Sequence, residues 1–201
     1  HDGHTTMLLG AAKYLAETRN FSGTVHLIFQ PAEENLAGGG VMVKEGLFER
    51  FPMQRVFGLH NWPGGERGTF LWKEGPMMAA VANLEIELTG RGAHGAMPHQ
   101  GNDPVVVAAA IIQALQTVVA REIAPSDVAV VTVGAIRAGS KENVIPAEAE
   151  LKLNIRTFDP DVRETVLAAV RRIVDAEAAA AGAPRNPEIA PINDFPLLRN
   201  D

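Results

Sequence analysis

Residues 80–89 read AVANLEIELT, with Leu84, Ile86 and Leu88 alternating against Glu85, Glu87 and Thr89. A period of two predicts a strand with one apolar face and one wet face, the usual condition of an antiparallel sheet. AEAELKLNIRT at 147–157 repeats the alternation, and VAVVTVGAI at 128–136 predicts a further strand. Helical spacing fills the gaps, first from about Asp103 to Ala120. A second helix starts at Pro160, with Asp159 as N-cap and proline in a favoured first position, and runs to a stop at Gly182. A weaker strand at 187–192 completes the order β-α-β-β-α-β. That order predicts an α+β, ferredoxin-like domain over 78–191: a four-stranded antiparallel sheet with two helices on one face.

The pattern before residue 78 is different. Met7, Leu8, Ala11, Ala12 and Leu15 share one face of a helix over 5–19. TVHLIF (24–29) and RVFGLH (55–60) are nearly continuous apolar runs, as expected of strands covered on both sides. Between them, Gly38 to Gly40 precede a helix through Val41, Val43 and Leu47. Helix, strand, helix, strand predicts a parallel α/β domain over 1–77. The tail, 192–201, is expected to lead back toward it.

Composition narrows the function classes. The net charge of −6 and scattered basic residues argue against a nucleic-acid partner. The longest uninterrupted apolar run, Val105 to Ile112, is far shorter than the roughly 20 residues of a membrane span. With no cysteine there is no disulfide within the chain, and cytoplasm is the default compartment.

Candidate chemistry gathers at His1, at Glu33 or Glu34, and at His60, each where one element hands over to the next. Parallel sheets collect their sites along one edge, so residues about 30 apart can converge. Imidazoles with a carboxylate form a donor set suited to zinc, manganese or cobalt. Glu33 and Glu34 are adjacent, and on an extended chain neighbours point to opposite sides. Two such carboxylates are badly placed to share one task, which raises the question of whether they perform two, and without cations two like charges so close would raise one pKa strongly. Further along, GRGAHG (90–95) fits the dinucleotide pattern G-x-G-x-x-G, but Met97 and Pro98 follow where a helix should open. The dinucleotide reading is rejected on that ground. Histidines ending strands and paired glutamates on a solvated face are the bland alternative for each residue alone.

HDGHTTMLLGAA, FQPAEE, GLHNWPGGERGTF, GRGAHGAMPHQGNDPV and ENVIPAEAELKLNIRTF occur in the order seen in the metal-dependent N-acyl-amino-acid amidohydrolases. From residue 1 to its end the chain resembles that family, the hippurate and indole-acetyl-amino-acid hydrolases of the aminoacylase–carboxypeptidase clan. The resemblance implies a zinc-peptidase-like α/β catalytic domain, present in part over 1–77, and a lid and dimerisation domain over 78–191. It implies two divalent metal ions (zinc, manganese, cobalt or nickel) with His1, Glu34 and His60 as ligands and Glu33 as the catalytic base. His94 would polarise the scissile carbonyl, in many relatives from the partner subunit. Asn143 would lie near the substrate, and Arg156 would hold its free carboxylate. The implied reaction splits the amide bond of an N-acyl amino acid, in a homodimer with no nucleic-acid or membrane partner.

The chain departs from the family pattern at two points. The family carries Cys-Gly before the residue matching His1, and uses one more histidine beyond the position of Asp201. The chain is therefore expected to be the interior of a longer enzyme and not to assemble the full dinuclear site by itself. Two alternatives stay open. One is a non-catalytic dimerisation or small-molecule-binding module; the other is a dipeptidase or carbamoyl-amino-acid hydrolase built on the same residues.

Overall fold

The computed structural model describes residues 1–201, excepting the side chains of Asn35 and Leu36. Two compact units meet in the sequence between Leu71 and Trp72.

The first unit holds four helices: α1 (Asp2–Thr18), α2 (Glu33–Leu36), α3 (Gly38–Lys44) and α4 (Leu47–Arg50). The strands expected at 24–29 and 55–60 do not form; both segments lie outside regular structure. A strand is defined by its ladder, and among the described residues neither segment has a partner that would supply one. Their apolar side chains stay open accordingly, Leu27 at 44%, Leu59 at 52% and Phe57 at 88%. A continuous apolar run is the whole signal for these strands, and it cannot stand in for a neighbouring strand.

The second unit is built from β1 (Gly75–Met78), β2 (Ala80–Thr89), β3 (Ala93–His94), α5 (Pro104–Thr117), β4 (Ala129–Ala138), β5 (Val144–Ile145), β6 (Glu148–Thr157), α6 (Pro160–Ala180), β7 (Glu188–Phe195) and β8 (Leu198–Asn200). The main sheet has the order β4-β6-β2-β7 with every pair antiparallel. Together with α5 and α6 this is the β-α-β-β-α-β arrangement that the alternation predicts. Ile86, Leu151 and Ile155 on the sheet and Ile111, Leu115 and Val170 on the helices are all 0–1% exposed and share one core. Asp103 accepts a hydrogen bond from Val105 N–H and so caps α5, while Asp159 accepts from Asp161 and Val162 N–H and caps α6. α5 continues through a π turn (Val118–Glu122). The combined stretch Pro104–Glu122 is long and apolar enough to cross a membrane by length and composition. Its inner face, however, with Val107, Ala108, Ile111, Leu115 and Val118, belongs to the core.

Two irregularities shape the sheet. β4 shifts register between Val133 and Ala135, and β7 shifts between Pro191 and Asn193, leaving Ile192 without a partner on β2. The tail differs from expectation. β7 runs on to Phe195, and β8 then pairs with β1, Gly75 lying opposite Asn200. Residues 192–201, expected to leave for the first domain, thus complete ladders inside the second unit. The backbone groups on β1 give them partners there.

Candidate metal centre

Helix α1 begins with His1 at its N-cap position and His4 in its first turn. A spacing of three places both imidazoles on one helical face. Their ring centroids lie 4.9 Å apart, His60 lies 4.3 Å from His4, and His1 and His60 are 6.1 Å apart, all edge to face. Ligand-competent atoms of His1, His4 and His60 all fall within 4.8 Å of one another. His60 reaches the group from an irregular segment, with its Nδ1 2.7 Å from the carbonyl of Asn61. A carbonyl can only accept, so Nδ1 carries a proton, and in the neutral ring Nε2 keeps its lone pair. Both ring nitrogens of His4 are shielded and, among the described residues, without a hydrogen-bond partner. Burial, and then the neighbouring His60, hold the His4 pKa below the ordinary histidine value. Neutral imidazole is thereby favoured, the form that binds metals.

Two carboxylates also approach His1. Its Nε2 lies 3.8 Å from Glu33 Oε2 and 3.7 Å from Glu34 Oε1, and His1, Glu33 and Glu34 form a second group with ligand atoms within 4.8 Å. This corrects the extended-chain expectation. Glu33 and Glu34 open the short helix α2, where neighbouring side chains diverge by about 100° rather than 180°. Both therefore reach the same imidazole. The turn is enforced locally. A Cβ on Gly38 would sit 1.8 Å from the carbonyl oxygen of Pro31, so only glycine lets the chain double back here. Ala32, immediately before Glu33, takes a left-handed φ of 49°. An alanine held there stores about 1–2 kcal/mol of strain, and such strain gathers where a site demands it.

Three nitrogen donors within reach of one another, two carboxylates beside them and a His4 with no hydrogen-bond partner among the described residues fit divalent first-row metals. His1 is common to both groups. Reading by elements picks out His1, Glu33, Glu34 and His60, and the structure brings all four together, with His1 as the pivot. It adds His4, whose H-x-x-H spacing from His1 at a helix start was the available signal. The Asp2 carboxylate accepts the N–H of Gly3.

The remaining sequence candidates lie in the second unit. β3 and β5 pair so that His94 faces Val144, and Gly95 N–H donates to the carbonyl of Asn143 at 2.7 Å. His94 and Asn143 are thus neighbours across this ribbon. His94 Nδ1 accepts the backbone N–H of Ala96 at 3.1 Å, which leaves Nε2–H as a free donor in the neutral ring. Arg156 stands on β6 on the sheet face away from the helices, apart from that ribbon in register. Gly90 and Gly101 serve the backbone bridge between Arg91 and Asn102: a Cβ on Gly90 would lie 2.4 Å from Asn102 O. The helix that a dinucleotide loop requires opens only at Pro104.

Comparison with known proteins agrees along the whole chain. It is 45% identical over 180 residues to hippurate hydrolase of Campylobacter jejuni, covering 90% of this chain and 47% of that protein. It is 39% identical over 202 residues to N-acetylcysteine deacetylase of Bacillus subtilis, covering 100% and 52%. The chain spans about half the length of the curated relatives it matches. A crystal structure of a dinuclear metal-binding peptidase from Bacillus subtilis superposes with a TM-score of 0.74 at 35% identity, over all of this chain and 50% of that one. The sequence profile of peptidase family M20/M25/M40 matches residues 1–179; the chain belongs to that family.

Proposed function

We propose that the chain carries the core of a metal-dependent amidohydrolase that cleaves N-acyl amino acids to a carboxylic acid and an amino acid. The observation that carries this reading is the pair of donor groups meeting at His1, in a chain 45% identical to a hippurate hydrolase. His1, Glu34 and His60 would hold the divalent cations, which would polarise the scissile carbonyl and acidify water. Glu33 takes the proton of the attacking water and returns it to the leaving nitrogen. Assigning the base to Glu33 and the ligand to Glu34 follows the family resemblance; both carboxylates lie equally close to His1 Nε2. His94 offers Nε2–H to the developing oxyanion. The hydrogen bond from Ala96 N–H to Nδ1 supports that tautomer. Asn143 lies beside His94 and contacts the substrate, and Arg156 takes its carboxylate through a planar fork that fits the two oxygens. A homodimer formed through the second unit is part of the same proposal.

The test is Glu33→Gln in the metal-loaded enzyme with hippurate as substrate. Metal content should stay as in the wild type while turnover drops by about 10²–10⁴-fold, the scale of a lost general base. Near-normal turnover removes Glu33 from the chemistry.

A further inference from the structure

The sheet face turned away from α5 and α6 carries a row of amides. Asn154 on β6 lies opposite Asn83 on β2, and Asn83 lies opposite Asn193 on β7. All three are half-buried. Asparagine is a poor strand residue, and a half-buried amide is costly unless paired. These amides are paired, in one continuous sense. Arg156 Nε donates to Asn154 Oδ1 at 3.0 Å, Asn154 Nδ2 donates to Asn83 Oδ1 at 2.6 Å, and Asn83 Nδ2 donates to Asn193 Oδ1. The sense is dictated by chemistry. A guanidinium has only donors, so Asn154 must turn its oxygen toward Arg156 and its NH₂ toward Asn83, which then turns likewise. Aligned in this way, the bonds polarise one another.

The charges around the row point the same way. Lys152, next along β6 on this face, is consumed by Glu85 at 2.8 Å and Glu150 at 3.4 Å, and Glu150 also meets Arg137 at 3.7 Å. Asp194 is held by Arg163 at 2.8 Å. Among the described residues, Arg156 has no carboxylate within 4.0 Å. A neutral acceptor fixes the guanidinium without cancelling its charge. With Nε occupied, the two Nη groups are the remaining pair able to meet a carboxylate in parallel.

We propose that Asn154, Asn83 and Asn193 are positioning residues that set Arg156 for end-on capture of the substrate carboxylate by its two Nη groups. The identity of that carboxylate rests on the amidohydrolase reading; the hydrogen-bonded row does not.

The test compares wild type, Asn154→Leu and Asn83→Leu in the metal-loaded enzyme, each with an N-acyl amino acid and with its carboxamide. Leucine matches asparagine in shape and cannot hydrogen-bond. For the acid, KM should rise about tenfold in Asn154→Leu and about threefold in Asn83→Leu, with kcat within about twofold; one lost hydrogen bond to a charged group is of this size. KM for the carboxamide should not move. A rise equal for acid and carboxamide, or no rise, overturns the proposal. Asn154→Ser, read the same way, serves if the leucine variant does not fold. A second readout needs no turnover: the Arg156 Nε–H proton should be protected from solvent exchange in wild type and exposed in the Asn154 variant. An exchanging proton in wild type overturns the proposal. If wild type hydrolyses no N-acyl amino acid, the proposed function falls, while the exchange measurement still judges the row.

Discussion

The two units divide the work of the molecule unequally. Among the described residues, every buried hydrophobic one lies between Ala80 and Ala178, in the second unit. The first unit contributes one buried glycine, Gly38, and exposes Phe57, Leu59 and Trp62. Yet both donor groups belong to the first unit. Order in the second unit comes from a shared apolar core and continuous ladders. In the first it comes from a helix, a glycine-enforced turn and polar side chains that converge on His1. A cation that binds such donors adds its binding free energy to the stability of whatever holds them. The donor cluster of the first unit is thus more dependent on its ligand than the sheet of the second.

This contrast can be broken at several places. The largest stability effect is expected from Leu151→Ala, which opens a cavity beneath a fully buried side chain and should cost about 2–5 kcal/mol. Leu59→Ala, at a half-exposed position, should stay within about 0.5 kcal/mol. Denaturant titration of the two variants side by side decides it, and equal losses would erase the distinction. Next is His4→Phe, which keeps an aromatic ring but removes both unpartnered nitrogens. Metal affinity should fall by about 10–100-fold, as for other groups around metal ligands, with the second unit's melting unchanged. Competition titration against a chelating dye reads the first quantity, calorimetry the second.

Smaller effects test the local rules. Asp159→Ala removes a cap that accepts from two backbone N–H groups, and should cost about 1 kcal/mol. α1 has no side-chain cap to lose. The smallest effect is expected from Lys152→Met. The hydrogen bond to Glu85, followed by Glu150, raises the Lys152 pKa above its ordinary value. A raised lysine stabilises fully below the unfolded pKa, and loses that contribution as pH climbs through the folded one. The variant should therefore be slightly less stable than wild type at neutral pH, and the gap should close in strongly alkaline buffer. A gap that widens with pH contradicts the ion network.

The same contrast explains what was legible in the amino-acid order. β2, β6 and α6 could be read because alternation, caps and a proline at a helix start are local facts, and the core they imply lies within the same 130 residues. The segments 24–29 and 55–60 carry equally strong apolar runs, but a strand needs a partner that the run does not specify. Among chemical groups, His1, Glu33, Glu34 and His60 could be marked by type and spacing. The geometry of Glu33 and Glu34 could not, because it turns on the close approach of Gly38 to Pro31 and the left-handed Ala32. The amide row was hidden for a related reason. Asn83, Asn154 and Asn193 are far apart in the chain and meet only through strand register.

That register depends on one supernumerary residue. Ile189 and Asn193 are both odd-numbered, and in an unbroken strand they would share a side; the unpaired Ile192 sends Ile189 inward opposite Ile86 and Asn193 outward opposite Asn83. Pairing Ile192 with Asn83 in an unbroken ladder would restore simple parity and carry Asn193 through to the greasy side of the sheet, exchanging it with Asp194. One inserted residue thus works as a frameshift in space: upstream of it β7 is read for packing, downstream for polarity, and flattening the bulge would scramble the second message while leaving every letter of the strand intact.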